Sequence, residues 1–386
     1  MKKRIFLIAG EESGDKLGAS ILRSANPVQF TFRGVGGEMM AEAGLNSIFP
    51  MRDIAVMGLF EIIPKLPVIL GRLDETVKAI ETFDPDIILS IDCPDFSLRV
   101  QKKIAARNNI SARQIHYVAP TVWAWRPGRA KAIAEYLDGI LCLYPFEPPY
   151  FEKVGLAADF VGHPVVDKNP LVPDVAGIKK LYDIDPQAKL VGLYTGSRHS
   201  EIDRHIDSLS HIAQRLIGEY PAIHFFIPTF DHFQEAIDKR LGKVMEKATM
   251  ITSADQKNVI MPALDAAMAV NGTIGLELAV HRVPHITCYR TGALSYRLAK
   301  MLVRTNHIHL VNILADHGQL SGAVIPEFIQ DEMHPGKMTE AMVELLSDDD
   351  VRQVQLEEFD KLGNILKPPG GRSTGQSVLD ILARSA

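Results

Sequence analysis

Short apolar runs that close on a glycine, a proline or an acidic turn, each followed by an amphipathic stretch, constrain this chain more than any other feature. In the first half the runs are Ile5–Ala9, Phe30–Phe32, Ile87–Ile91, Gln114–Ala119 and Gly139–Leu143. In the second half they are Leu190–Tyr194, Ile223–Ile227, Val259–Met261, Ala266–Val270 and His285–Tyr289. The runs are continuous rather than alternating, which is the pattern of strands buried on both faces of a parallel sheet. Two such series predict an α/β chain of two doubly wound, Rossmann-like domains. A length of 386 residues also exceeds what one hydrophobic core usually organises. The break is expected near Gly162-His163-Pro164 and the loop Asp167–Asp174, giving an N-terminal domain 1–164 and a second domain 165–350. Near the end, Lys367-Pro368-Pro369-Gly370-Gly371 stops any helix, and a last helical pattern covers Ser377–Ala383.

Several classes drop out on composition. With 46% hydrophobic and 23% charged residues, the chain can bury large cores. A net charge of −5 argues against a nucleic-acid partner. Cys93, Cys142 and Cys288 lie far apart and form no CxxC pair, as expected of a reducing cytosol. Thirteen histidines include no HExxH, so no metal is expected. The opening run Ile5–Ala9 is too short for a signal peptide and meets Glu11, Glu12 and Asp15 at once. No stretch approaches the ~18 apolar residues of a membrane span. The expectation is a soluble or membrane-surface protein.

In open parallel sheets ligands bind beyond the carboxyl ends of strands, so motifs that follow a strand carry the chemistry. The first strand empties into Gly10-Glu11-Glu12-Ser13-Gly14-Asp15 before a helix Lys16–Ser24. Such a turn offers free N–H groups to a phosphate or sugar oxygen, although Ser13 or Asp15 would equally serve as a helix cap. It matches neither GxxxxGK[ST] nor GxGxxG, and Gly34-Val35-Gly36-Gly37 lacks the third dinucleotide glycine. Strand Ile87–Ile91 ends in Asp92-Cys93-Pro94-Asp95-Phe96. A carboxylate there is where a general base belongs, worth ~10²–10⁴ in rate. Asp92 suits a turn cap around Pro94, which leaves Asp95 as the preferred base, though spacing alone does not separate the two. Trp123 and Trp125 stand beside Arg126, Arg129 and Lys131. From Arg99 to Lys131 there are eight Lys/Arg and no Asp/Glu, a phosphate-bearing or membrane-facing surface, or otherwise a solvated face.

In the second half, strand Leu190–Tyr194 leads to Thr195-Gly196-Ser197-Arg198, whose arginine suits a diphosphate. Strand Ala266–Val270 leads to Asn271-Gly272-Thr273 and a helix bearing Glu277, placed to accept from ribose hydroxyls. Together the two turns point to a nucleotide-diphosphate site. Two further segments fit a lipid surface or, more simply, surface and buried helices. Met57–Leu70 is apolar, carries Met57, Leu59, Phe60, Ile63 and Leu66, and is interrupted by Pro64 and Pro67. In Ala293–Thr305, Leu294, Leu298, Met301 and Leu302 share one helical face and Arg297, Lys300 and Arg304 another.

Taken together, GEESGD, GVGG, MGLFEIIPKLP, IDCPDF, YVAPTVWAWR, YPFEPPYF, VGHPVVD, TGSR, NGTIGLELA and YRLAKMLV…VNIL resemble the lipid-A-disaccharide synthases, in order from about residue 5 to residue 315. The resemblance implies a glycosyltransferase B-type fold with the active site in an inter-domain cleft, and a segment 351–386 that returns to the N-terminal domain and supports a possible homodimer. It implies UDP-2,3-diacylglucosamine as donor and 2,3-diacylglucosamine 1-phosphate (lipid X) as acceptor, giving a β-1,6-linked disaccharide 1-phosphate with inversion and release of UDP. It implies no cofactor or metal, and work at the cytoplasmic face of a Gram-negative inner membrane. Carried onto this chain, Asp95 is the base, and Glu12, Ser13 and Asp15 line the acceptor side. Arg198, Gly272 and Thr273 hold the diphosphate, Glu277 the ribose, and Asn312 also binds substrate; Met57–Leu70 and Ala293–Thr305 receive acyl chains. Thr195 and Val311, where the family usually has proline, and Asn271, where it usually has SGT, depart from the pattern around the donor site. Two rivals remain at this stage: a UDP-N-acetylglucosamine epimerase on the same fold, which needs no lipid surface, and a non-catalytic nucleotide-sugar or lipid-binding protein.

Overall fold

The computed structural model describes residues 2–55, 59–107, 110–167 and 171–384. The chain forms two compact units, one reaching Asp167 and resuming at Leu366, the other occupying the stretch between and ending at Ile365. The first holds β1 (Lys3–Ala9), β2 (Phe30–Val35), β3 (Ile87–Ile91), β4 (Arg113–Tyr117), β5 (Gly139–Cys142) and β6 (Ala157–Phe160). Its helices are α1 (Glu12–Ser24), α2 (Glu38–Glu42), α3 (Leu59–Phe83), α4 (Pro94–Ala105), α5 (Gly128–Ala134) and α6 (Pro148–Glu152). The sheet order is β2-β1-β3-β4-β5-β6, and every pair is parallel. Continuous apolar strands are required because both faces are covered. Ile5, Leu7 and Ala9 pack with Leu17 and Ile21 of α1, whereas Phe6 and Ile8 pack with Val77 and Ile80 of α3 and Val100 of α4.

The second unit holds β7 (Leu190–Tyr194), β8 (His224–Pro228), β9 (Ala248–Ile251), β10 (Ala266–Val270), β11 (His285–Tyr289) and β12 (Glu327–Ile329). Its helices begin with α7 (Val175–Leu181), α8 (His199–Glu219), α9 (Gln234–Leu241), α10 (Ala254–Ile260) and α11 (Thr273–Val280). They continue with α12 (Ala293–Leu302), α13 (Leu310–Asp316), α14 (Pro335–Ser347) and α15 (Asp349–Ile365). The order is β12-β11-β10-β7-β8-β9, again all parallel. In each unit the chain reverses its direction of winding once, between β1 and β3 in the first and between β7 and β10 in the second. Those reversals open the crevices in which doubly wound sheets hold ligands.

Segment 351–386 divides. Its first part continues α15, which belongs to the second unit: Gln355 grips the backbone of His285 through both amide groups, at 2.8 and 3.1 Å, and Phe359 stacks on the His285 ring. From Leu366 the chain is part of the first unit. There α16 (Thr374–Arg384) lies on α1, with Val378, Leu379 and Leu382 in the same core as Leu17 and Ile21. Asp167 accepts from the Thr374 N–H at 2.9 Å.

Two expectations need correction. Val259–Met261 is not a strand; it closes α10, which Ser253 caps, because three apolar residues before Pro262 are too few for a strand and Ile260 and Met261 suffice for a buried helical face. Nor do Pro64 and Pro67 interrupt the apolar segment, since α3 runs through both. Strands β6, β9 and β12 carried no apolar run because all three are sheet edges, half solvated and so mixed in composition.

Candidate active site

At the reversal in the first unit, β1 delivers Gly10 and the start of α1 while β3 delivers Asp92. The approach is close: a Cβ on Gly14 would stand 2.8 Å from the Ile91 carbonyl oxygen, so only glycine lets α1 begin there. Asp92 and Cys93 are both left-handed, with φ of 52° and 45°, costly for side-chain-bearing residues and typical of functional turns. The turn is so tight that Pro94 already opens α4.

The two carboxylates of this turn have different surroundings. Asp92 is engaged: Ser13 Oγ donates to its Oδ2 at 2.5 Å, its N–H donates to the Tyr117 carbonyl at 2.9 Å, and its carbonyl accepts from Ser97 Oγ at 2.8 Å. Asp95, the second residue of α4, is exposed and meets neither a hydrogen-bond donor nor a cation among the described residues. A base must have a free lone pair, and Asp95 has one.

The remaining acceptor-side candidates separate similarly. Glu12 is exposed at the start of α1, beside Ser13. Asp15 is buried and spends both oxygens on backbone: Oδ1 accepts from Gly37 and Met40 at 2.7 and 3.1 Å, and Oδ2 from Met39 at 2.9 Å. It pins the GVGG turn as the cap of α2. Glu11, absent from the sequence-level candidates, stands at the N-terminal boundary of α1 without a side-chain cap bond and faces the Cys93 thiol. Burial, reinforced by the Glu11 and Asp92 charges, pushes that thiol up to about 12, which disfavours a thiolate there.

Further along the same sheet edge, the loop after β4 carries the tryptophans. Trp123 is buried and donates from Nε1 to Glu147 Oε1 at 3.1 Å. Glu147 Oε2 accepts from the N–H groups of Leu143 and Tyr144. Burial raises the Glu147 carboxyl to about 7 despite these donors.

In the second unit, Thr195-Gly196-Ser197-Arg198 follows β7 and Asn271-Gly272-Thr273 follows β10, on either side of the reversal. Gly196 has φ of 106°, the geometry the turn into α8 requires. Glu201 reaches back to the Ser197 N–H at 3.0 Å and to Arg198 Nη1 at 3.4 Å. Arg198 itself is 62% exposed, held loosely and free to turn to an anion. Space is open around Gly272, where a Cβ would meet nothing within 4 Å. Glu277, one turn into α11, is paired through Oε2 with Lys257 Nζ at 2.8 Å. Asn312 is buried and fully used: its amide donates to the Ile325 carbonyl and Glu327 Oε1, and its oxygen accepts from Val324 and Ile325. These bonds fasten the loop before β12.

Beneath α11, His309 Nδ1 accepts from the Val311 N–H at 3.3 Å, so its Nε2 carries the proton and donates to His285 Nε2 at 3.0 Å. His285 Nδ1 then donates to the Val283 carbonyl at 2.8 Å. Burial lowers His285 to about 4 and holds His309 well below its ordinary value. A Cβ on Gly275 would sit 2.1 Å from His309 Nε2, so a glycine is what lets α11 rest on this neutral pair.

Among the lipid-surface candidates, Met57 lies outside the described residues, and Leu59, Phe60 and Ile63 fall in the first turns of α3. Leu66, Val68 and Leu70 further along α3 are exposed. No residue of α12 is buried; Leu294 is 82% and Met301 81% exposed. Beside α12 a cavity of about 570 Å³ is lined by Tyr296, Arg297, Lys300 and Met301 together with Gln330 and Asp331, and Arg304 follows just beyond the helix. Among the described residues no helix is long and apolar enough to cross a membrane.

Sequence comparison settles the family. The model of the lipid-A-disaccharide synthetase family matches residues 5–369. The chain belongs to that family. Its relatives include the lipid-A-disaccharide synthases of Rhodospirillum centenum, 39% identical over 98% of this chain and 95% of that one, and Nitrobacter winogradskyi, 35% identical over the same shares. The chain is therefore a glycosyltransferase of the disaccharide-forming step of lipid A biosynthesis. Among solved structures, a putative UDP-N-acetylglucosamine 2-epimerase from Listeria monocytogenes is similar at a TM-score of 0.65 and 10% identity, covering 99% of this chain and 96% of that one. MurG of Acinetobacter baumannii is similar at 0.58 and 13%, covering 99% of each. At such identities the likeness is one of fold, two Rossmann-like domains of the glycosyltransferase B type. Fold alone does not separate the epimerase expectation from a transferase; membership of the family does.

Proposed function

We propose that the chain transfers 2,3-diacylglucosamine from UDP-2,3-diacylglucosamine to the 6-hydroxyl of 2,3-diacylglucosamine 1-phosphate, with inversion, releasing UDP. The observation that carries this is the contrast at the β3–α4 turn: Asp92 is consumed by Ser13 and the backbone, and Asp95 beside it is exposed and, among the described residues, unpaired. Asp95 takes the proton of the acceptor hydroxyl as its oxygen attacks the anomeric carbon. In the second unit the exposed Arg198 and the open start of α11 at Gly272-Thr273 stabilise the charge that develops on the departing diphosphate. The free oxygen of Glu277 accepts from the ribose. Glu12 and Ser13 border the acceptor. The exposed apolar residues of α3 and α12, with Arg297, Lys300 and Arg304, suit the cytoplasmic surface of an anionic inner membrane, where both acylated substrates reside.

The test uses the purified protein in detergent with both substrates and no added metal, following UDP and disaccharide 1-phosphate by mass spectrometry. Product should require both substrates, and Asp95→Asn should lower kcat ~10²–10⁴-fold with melting unchanged. UDP release without the acceptor would point instead to hydrolytic or epimerase-like chemistry, and near-normal turnover of Asp95→Asn would remove Asp95 as the base.

A further inference from the structure

The loop between β4 and α5 has no part in the mechanism so far, yet it is built with unusual care. Val118, its first residue, has φ of 78° and Arg126 has φ of 50°; an arginine in the left-handed region is strained by ~1–2 kcal/mol. Between them the loop is fixed at three points. Trp123 is buried, donates to Glu147 and meets the Phe146 ring edge-on at 5.2 Å. Thr121 accepts from the backbone of Ala124 and Trp125. The Trp125 indole N–H donates to Thr121 Oγ1 at 3.1 Å. The Trp125 ring is therefore a fixed platform, and the Arg126 guanidinium lies over it at 4.2 Å from the ring centroid.

A guanidinium stacked flat on an indole keeps its row of N–H donors at the edge, pointing away from the ring. Arg126 is exposed and has no carboxylate partner among the described residues, and neither does Arg129, three residues on. No acidic side chain occurs from Arg99 to Lys131 to neutralise either. Strained backbone over a buried glutamate fixes the guanidinium in one place, and a fixed guanidinium suits a bidentate contact with a dianion.

The position selects which anion. β4 is the direct neighbour of β3, and the Asp92 N–H is bonded to the Tyr117 carbonyl at the end of β4. The arginine loop thus leaves the sheet one strand from the turn that carries Asp95. Neighbouring strands are ~4.8 Å apart, comparable with the breadth of one sugar ring. Resting on the acceptor proposed above, we infer that Arg126, on its Trp125 platform, binds the 1-phosphate of the acceptor and so sets the enzyme's preference for a phosphorylated acceptor sugar. Trp123 and Glu147 are positioning residues that hold the loop.

The experiment compares two acceptors, 2,3-diacylglucosamine 1-phosphate and the same sugar lacking the phosphate, with wild type, Arg126→Gln, Arg126→Lys and Lys131→Gln. Wild type should prefer the phosphorylated acceptor. Arg126→Gln should raise KM for that acceptor about 10–100-fold, the worth of a charge-assisted bidentate contact. It should leave KM for the UDP-sugar and the rate on the dephosphorylated acceptor within about twofold, so that the preference collapses. Arg126→Lys should recover part of it, and Lys131→Gln, which removes the same charge from the same loop region, should change nothing. A preference that survives Arg126→Gln, an equal loss on both acceptors, or an equal effect of Lys131→Gln would each overturn the inference. Absence of transfer by the wild type would instead be a failure of the proposed reaction, so the two are told apart.

Discussion

Asp15 and Arg198 are both charged residues at a strand–turn–helix junction, and their surroundings give them opposite consequences. Asp15 is buried with three backbone donors on its carboxylate; Arg198 is mostly exposed with one loose partner. Asp15→Asn replaces an acceptor oxygen by an amide that faces N–H groups, leaving buried donors unsatisfied at about 2–3 kcal/mol in all. Denaturant unfolding should show that loss, while the folded fraction keeps its KM for both substrates. Arg198→Gln should leave stability within about 0.5 kcal/mol and lower kcat/KM ~10²–10³-fold. If Asp15→Asn proved as stable as wild type and slow, its carboxylate would belong to the chemistry and not to the scaffold.

At the scale of elements, α12 is the odd one. Helices such as α1 and α8 bury their apolar stripes; the stripe of α12, Leu294, Leu298, Met301 and Leu302, is exposed throughout. Because nothing packs there, Leu294→Ser with Met301→Ser should not change the melting temperature. Flotation with phosphatidylglycerol vesicles should show the paired variant binding several-fold more weakly than wild type, and both proteins should bind zwitterionic vesicles more weakly still, because the Arg297 and Lys300 charges contribute less there. Equal binding of both proteins to both vesicles would dissociate α12 from the lipid surface. Elements also show what a sequence reveals. β3, β7, β10 and β11 were legible to the residue, because central parallel strands must be apolar on both faces. The edge strands β6, β9 and β12 were not, because one side of each is solvent and composition there is unconstrained. The site divides the same way. Asp95 and Arg198 stood out by their place after a strand, whereas the structural burden on Asp15 and Asn312 depends on backbone donors tens of residues away, and Glu11 was hidden by its neighbours in one acidic run.

At the scale of the whole molecule, the buried titratable groups are unevenly spread. In the second unit His285 and His309 form a neutral relay whose lone pairs and protons are all assigned, so a second proton has no acceptor. In the first unit His116 is likewise held neutral, its Nδ1 against Ser90 Oγ at 2.6 Å, and burial, with Arg129 adding to it, lowers it to about 3. A histidine whose folded value lies below its ordinary 6.5 contributes stability that is complete above 6.5 and is lost as pH falls through that value toward the folded one. For His285, from 6.5 toward about 4, this amounts to about 3 kcal/mol. Glu147 acts in the opposite sense, because its folded value of about 7 exceeds the ordinary 4.5, so the first unit gains stability as pH falls from 7 to 4.5. His163, also in the first unit and lowered by burial to about 3, adds to His116, so Glu147 offsets only part of that unit's loss. Among the described residues of the second unit no raised carboxyl opposes the His285–His309 pair or His224, which burial lowers to about 4. Acidification from pH 7.5 to 5 should weaken the second unit more than the first. Both tryptophans, Trp123 and Trp125, lie in the first unit, so their fluorescence reports that unit alone and far-ultraviolet circular dichroism reports both. At pH 5 the dichroism transition should precede the fluorescence transition by several degrees, and His285→Gln with His309→Gln should close the part of that gap which opens on acidification. A gap that is independent of pH, or that persists unchanged in the paired variant, would mean that the histidine relay does not set the acid stability of its unit.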